Sequence, residues 1–227
     1  MAIYMSVISK NLSTLIDTAI HTVFQPHRIH FHSFGLAVFT AMQSVFPGSI
    51  DFCFADIGSE VSDVFLVKKG VLLESVSVPC GKNSFIRRVA DDFDIGPAVA
   101  LSHIKLLIDK QADPTLAQKI EQSLVPMRDE WVAHLTVALE SLGRDRSLPD
   151  TLYVTVDEDV ATLFVEYAGL VDATGISLSS NRLVVTPVLY EVCAPHLKKT
   201  ANMNHDIFLA IEALHVDRLL TLPEEER

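Results

Sequence analysis

Three apolar runs follow one another almost without a break in the first half of the chain. Apolar and polar residues alternate through much of each run, and the runs are Ile50–Ile57, Val61–Lys69 and Val71–Val78. The turns that join them are short, which favours antiparallel hairpins over crossover connections. We therefore predict three consecutive antiparallel strands of one sheet, with helices over 34–46 and 83–93 packed on it.

The remaining elements follow from helical spacing and from short alternating stretches. Helices are predicted over 11–24, 97–109, 115–142 and 157–169, with a last short one in "HDIFLAIEAL", and further strands in "RIHFHSF", 152–156 and "NRLVVTPV". Pro126 lacks an N–H for the helical ladder and is expected to kink or split the helix over 115–142. The predicted class is α/β, a mixed sheet with antiparallel hairpins and flanking helices.

Composition narrows the range of partners and locations. The chain has 227 residues with a formal net charge of −11, so a nucleic-acid backbone is an unfavourable partner. No apolar run approaches the length of a membrane span, and the start lacks the basic and apolar regions of a signal peptide. The three cysteines, far apart in sequence, are typical of reduced thiols. We expect a cytoplasmic protein.

The turn after the first strand contains an acidic residue and a glycine, "ADIGSEVSD". Asp56 and Gly58 are routine residues of a tight hairpin. Small residues at such a turn also let backbone N–H groups approach a phosphate. The local sequence leaves both interpretations open, with the plain hairpin favoured.

The order of elements around this turn resembles the actin-like ATPase superfamily. The stretches "HSFGLAVFTAM" and "FADIGSEVSDVFLVKKGVLLESVSVPCGKNSFIRRVADDF" are similar to the second lobe of its members, most like the bacterial FtsA and PilM type of cell division and type IV pilus assembly. The resemblance implies an actin-like (ribonuclease H-like) lobe core over 1–93 and 149–190. It also implies a small inserted helical subdomain over 94–148, followed by a C-terminal extension over 191–227 with a short helix and a frayed tail.

The resemblance also implies a set of nucleotide-contacting positions. Asp-Ile-Gly begins the family's second phosphate loop, and the "PCG" step into a helix is a family feature. The positions that match are Asp56, Gly58, Ser59, Ser62, Asp63 and Gly81.

Three departures from the family pattern weaken the expectation of ATP and Mg²⁺ binding. Glu60 places a carboxylate where a polyphosphate would lie, and like charges repel. Asp157-Glu158-Asp159 stands where the family has a Gly-Gly pair for adenosine, and no Asp-x-Gly phosphate loop precedes Met42. We therefore expect no cofactor, and we expect ATP with Mg²⁺ only as the alternative. On the same grounds the sequence leaves open whether the chain is an enzyme and favours a non-catalytic role.

Other polar groups carry less specific signals. His27, His30 and His32 could serve a metal, but no carboxylate or cysteine nearby completes a ligand set. Lys82, Arg87 and Arg88 form a basic cluster, which could neutralise an anion at the helix start. Pairing of this cluster with Asp91 and Asp92 across the helix is the favoured interpretation.

The long apolar stripe from Leu116 to Leu142 is the candidate partner surface. Most of it is expected to be core. A kink at Pro126 would leave a groove beside Met127, Trp131 and Leu135, where a partner or a second copy could dock. The sequence thus favours a non-catalytic scaffold or adaptor that docks proteins in a cell-division or type IV pilus-type machine. Such a protein would lie at the inner membrane through its partners. The alternative is a slowly hydrolysing ATP-binding protein whose first lobe is outside this chain.

Overall fold

A computed structural model describes residues 5–26, 29–172, 174, 176, 183–198 and 205–221. Five strands form one sheet in these residues, in the order β3-β2-β1-β4-β5. The strands are β1 Phe52–Ile57, β2 Ser62–Lys68, β3 Val71–Val78, β4 Thr151–Thr155 and β5 Val184–Pro187. The helices are α1 Lys10–Val23, α2 Phe34–Val45, α3 Lys82–Phe93, α4 Pro97–Ile108, α5 Pro114–Gly143, α6 Ala161–Ala168, α7 Tyr190–Cys193 and α8 Ile207–Thr221.

The sheet is mixed, as predicted. Strands β1, β2 and β3 are antiparallel neighbours, with Asp56 paired to Asp63 near the loop that joins β1 and β2. Strand β4 runs parallel to β1 and β5 runs parallel to β4. Parallel neighbours end at the same edge, so the residues that follow β1 and β4 lie close together.

The two faces of the sheet carry separate apolar clusters. Helices α3, α4, α5 and α6 contribute to the larger cluster, in which Trp131 and Leu135 of α5 are buried. Helices α2, α7 and α8 contribute to the other cluster, around Phe52, Phe54 and Phe65. Each strand alternates its side chains between the two faces, which explains why Phe52 and Cys53 enter different clusters. Covering both faces with helices is the layered arrangement expected for an α/β lobe.

One local prediction is wrong, and a second holds only in part of its alternatives. Residues 29–33 of "RIHFHSF" form no strand, because alternation alone does not supply a hydrogen-bonded neighbour, and residues 27–28 lie outside the described part. Helix α5 continues through Pro126, so this proline does not split the helix, and the kink stays a prediction. Pro126 is exposed, so the carbonyl that it leaves without a donor can face water instead of the core.

The prediction of a groove beside Trp131 is also wrong. Trp131 and Leu135 are 0% and 1% exposed, while Met127 is partly buried against the larger cluster. The apolar stripe of α5 is covered by the chain's own sheet and helices, so these side chains offer a partner almost no surface. Within the described residues, no helix is both long and apolar enough to cross a bilayer.

Candidate functional site: the β1–β2 loop and its acidic cleft

The loop between β1 and β2 is held by backbone hydrogen bonds from both sides. The Gly58 N–H donates to the Val61 carbonyl across the turn at 2.9 Å. The first N–H groups of α3, those of Lys82 and Asn83, donate to the carbonyls of Gly58 (3.0 Å) and Ser59 (2.9 Å). A helix N-terminus normally leaves such donors free for an anion. Here two of them are already used by the loop.

Gly81 makes this close approach possible. A Cβ at this position would lie 2.5 Å from the Gly58 carbonyl oxygen and 2.6 Å from the Ser59 carbonyl carbon. Both obstacles are backbone atoms, so neither can rotate away. Gly81 therefore lets the backbone at the start of α3 pack directly on the backbone of the loop. Its predicted contact with a nucleotide stays a prediction.

Ser62 faces the core and not the loop surface. Its Oγ donates to the Cys80 carbonyl at 2.7 Å and accepts the Trp131 indole N–H at 3.1 Å. The residue is 1% exposed. A phosphate contact by this hydroxyl would require both buried hydrogen bonds to break.

Asp56, the last residue but one of β1, has a largely buried carboxyl group. Burial raises its pKa to about 6, a hydrogen bond from Thr155 opposes that rise, and the charge of Asp63 adds to it. The Thr155 Oγ1 donates to Asp56 Oδ1 at 3.1 Å, while the Asp63 carboxylate accepts from the Ser77 hydroxyl. A carboxyl group with so perturbed a pKa is a common feature of functional sites.

Glu60 lies at the tip of the loop and is neutralised by helix α3. Its two carboxylate oxygens accept one hydrogen bond each from the Arg87 guanidinium, both 2.9 Å long, and Asn83 Nδ2 donates to Oε1 at 2.9 Å. These bonds from Arg87, then from Asn83, lower the pKa of Glu60 to about 2. The predicted pairing across α3 is found for Arg88 with Asp92 at 2.9 Å, whereas Arg87 reaches the loop instead.

An acidic cleft of about 350 Å³ lies beside the loop, at the carboxyl end of β4. Lys82 forms an ion pair with Asp157, and Lys105 pairs with Asp159 at 2.7 Å. The Glu158 carboxylate accepts the backbone N–H of Tyr190 at 2.9 Å. Each of these three acidic residues is thus held by a partner from another element.

The structure brings five of the six predicted loop residues to one edge of the sheet and turns Ser62 inward. Sequence reasoning missed the pairing of Glu60 with Arg87 and of Asp157 with Lys82. The signal available in sequence was the basic cluster at the start of α3, but its partners lie on other elements. Among the described residues, no group of three or more metal-ligating side chains is arranged for a metal. The His30 and His32 rings stack 6.4 Å apart, and His27 lies outside the described part.

The sequence matches no protein-family model and no curated protein. In structure it superimposes on a chain of a PilM–PilN type IV pilus biogenesis complex with a TM-score of 0.56 and 16% identity, covering 93% of this chain and 58% of that one. This chain has an actin-like fold. The fold was predicted from the order of elements around the Asp-Ile-Gly turn, and it is confirmed.

Two looser likenesses accompany this one. The ethanolamine utilization protein EutJ from Carboxydothermus hydrogenoformans gives a TM-score of 0.44 at 18% identity, over 66% of this chain and 51% of that one. The apo pSK41 ParM protein gives a TM-score of 0.47 at 10% identity, over 83% of this chain and 49% of that one. Neither carries an argument about function. The actin-like chain spans about half the length of these solved chains.

Proposed function

We propose that this chain is a non-catalytic actin-like scaffold or adaptor that docks protein partners in a cell-division or type IV pilus-type machine at the inner membrane. The observation that carries the proposal is the state of the loop. Its carbonyls take the first N–H groups of α3, and Glu60 takes the guanidinium of Arg87. The donors and the cation that would receive a polyphosphate are thus engaged within the chain.

The comparison with the PilM–PilN complex supports the part of the proposal that concerns protein partners. That solved chain comes from an assembly of two proteins in type IV pilus biogenesis. An actin-like lobe whose nucleotide site is occupied by its own side chains keeps its surface for protein contacts. Deleting the gene in the source organism is expected to impair pilus assembly or division. Normal pili and normal division after deletion would contradict the scaffold role.

Calorimetry with ATP and Mg²⁺ tests whether the chain binds a nucleotide. We expect no affinity tighter than about millimolar, because carboxylates surround the cleft and the cations beside it are paired. Micromolar affinity, or steady phosphate release by the purified chain, would overturn a non-catalytic role.

Glu60 offers a sharper version of the same test. Glu60→Gly removes the carboxylate and frees Arg87 and Asn83, so any residual affinity for ATP with Mg²⁺ should increase. Glu140→Gly, an exposed position on α5, removes the same charge far along the chain and should leave the affinity unchanged. An equal affinity of the two variants for ATP with Mg²⁺ would mean that the loop is not the nucleotide site.

The second candidate function is ATP binding with slow hydrolysis by a protein whose first lobe is outside this chain. The observation in its favour is the cleft of about 350 Å³ beside the loop, with Lys82 in its wall. Calorimetry on the product of the natural open reading frame separates the two candidates. Micromolar affinity for ATP with Mg²⁺ in that longer protein would favour the ATPase.

A further inference from the structure

A second groove lies apart from the loop, between helix α6 and strand β5. Its volume is about 480 Å³, within the range of sites that enclose a small ligand or a few side chains. The wall includes the partly buried apolar residues Val165, Pro187 and Leu189. We call this site the β5 groove. Its wall is mostly apolar, so water is readily displaced from it.

Three carboxylates stand around this apolar wall, those of Glu158, Glu166 and Glu191. Glu158 is fixed by the Tyr190 N–H, a neutral donor that leaves the negative charge in place. Glu166 and Glu191 are exposed. Throughout the described residues, no lysine or arginine forms an ion pair with any of the three.

The acidic residues near the loop are arranged differently. In the neighbouring cleft, Asp157 and Asp159 each pair with a lysine, and at the loop Glu60 pairs with Arg87. Near the loop, the chain thus supplies ion-pairing cations of its own, whereas in the described part no lysine or arginine forms an ion pair with a carboxylate of the β5 groove. Lys110 and Arg128 line the adjoining pocket, which shares Glu166 with the groove. An occupant that brings positive charge would complement what the chain leaves uncompensated.

Strand β5 adds a constraint on the shape of the occupant. It stands last in the strand order and pairs only with β4 among the described residues. Val184 at its start is 51% exposed. An edge strand beside an apolar groove is a common docking place for an extended segment, whose side chains alternate between the groove and solvent.

We propose that the β5 groove docks an extended segment of a partner protein in which lysine or arginine residues flank an aliphatic side chain. The aliphatic side chain packs on Val165 and Leu189, and the basic residues face Glu158, Glu166 and Glu191. This inference rests on the proposed scaffold function and names the chemistry of its partner.

Fluorescence anisotropy with labelled peptides tests this inference on the 227-residue chain. The probe is acetyl-Lys-Leu-Lys-Val-Lys-amide, and the comparison peptide is acetyl-Lys-Lys-Lys-Leu-Val-amide, which has the same charge without the alternation. We expect the alternating peptide to bind more tightly at about physiological ionic strength, where long-range attraction is screened.

Charge-matched variants separate the groove from the general acidity of the chain. Glu166→Gln combined with Glu191→Gln should weaken binding about tenfold, as two lost charge pairs would. Glu140→Gln combined with Glu212→Gln removes the same charge from exposed positions on α5 and α8 and should change binding less than about twofold. Thr162→Trp, at an exposed position on the groove wall, should block binding while circular dichroism shows a folded chain.

Three results would overturn the inference. Equal losses of peptide affinity in the two double variants would show that the peptide is attracted unspecifically by the acidity of the chain. A lack of binding at millimolar peptide would show that the groove takes no such segment. Loss of self-association in the Glu166 and Glu191 variant would show that a second copy occupies the groove. None of these results bears on the ATP measurements, so failure of this inference is distinguishable from failure of the proposed function.

Discussion

Two acidic regions of this molecule differ in what faces their carboxylates. At the β1–β2 loop, Glu60 and Asp157 each meet a cation from helix α3. In the β5 groove, Glu166 and Glu191 form no ion pair with the described lysine and arginine residues. Both regions fit a chain with a net charge of −11, yet only the groove keeps its charge available for a partner. Net charge therefore says little about where a cationic partner would bind, because pairing inside the fold decides which carboxylates remain free.

The loop region is fastened to the core through the hydrogen bond between Ser62 and Trp131, and Trp131 tests that attachment most strongly. Trp131→Ala should lower the free energy of unfolding by about 3–5 kcal/mol, since it removes a fully buried side chain and the hydrogen bond to Ser62. Urea unfolding measures the change. Val137→Ala on the same helix removes a side chain that is 62% exposed and serves as the control. Similar costs for the two variants would contradict the burial of Trp131.

Asp56 tests how much stability the fold loses by keeping a charged carboxylate buried beside the loop. Its pKa is about 6 in the folded chain against an ordinary value of 3.8, so the folded state holds the proton more tightly. The corresponding stability is fully present below about pH 3.8 and is lost as the pH rises through about 6. Asp56→Asn should therefore raise the free energy of unfolding by up to about 3 kcal/mol at pH 8 and change it little at pH 3.

The exposed Asp217→Asn is the control for Asp56, because it removes a carboxylate that lies on the surface of α8. At pH 8 it should leave the free energy of unfolding within about 0.5 kcal/mol of the parent chain, as surface substitutions usually do. Destabilisation by Asp56→Asn at pH 8 would mean that the charged carboxylate makes a favourable contact that outweighs its burial.

Gly81 tests the backbone contact between the loop and α3. Gly81→Ala should cost about 1–3 kcal/mol, because the new Cβ meets the backbone of Gly58 and Ser59. Gly48→Ala is the control, since a Cβ there meets nothing within 4 Å. Thermal unfolding of both variants measures the difference. An unchanged thermal stability of Gly81→Ala would show that the loop moves away easily and that the N–H donors of α3 can be freed.

The smallest effects distinguish the two acidic regions directly. Asp157→Asn breaks an ion pair with Lys82 and should lower the free energy of unfolding by up to about 1 kcal/mol. Glu166→Gln with Glu191→Gln breaks no ion pair and should stay within about 0.5 kcal/mol of the parent chain. Urea unfolding at low and high salt measures both. A larger loss in the Glu166 and Glu191 variant would mean that the groove carboxylates stabilise the fold and are not reserved for a partner.

Local pattern was sufficient to predict the antiparallel strands β1, β2 and β3. Their alternation and short turns are properties of neighbouring residues, and both limit the pairing to hairpins. The same holds for helix α3 and for the ends of α2, where the Pro47-Gly48 step comes just after Val45. The order of these elements was enough to predict the actin-like fold, because the succession of a helix, three hairpin strands and a helix is distinctive.

Contacts between distant segments were not readable in the same way. The stripe of α5 showed that one helix face is apolar but not what covers it, so Trp131 was predicted at a groove and lies in the core. The basic cluster of α3 was visible, yet the side chain that Arg87 meets depends on how the loop folds over the helix. Long polar side chains reach several ångströms in many directions, and only the three-dimensional arrangement decides which opposite charge is nearest. The pairing that closes the loop and the carboxylates left open in the β5 groove were therefore decided by the tertiary structure alone.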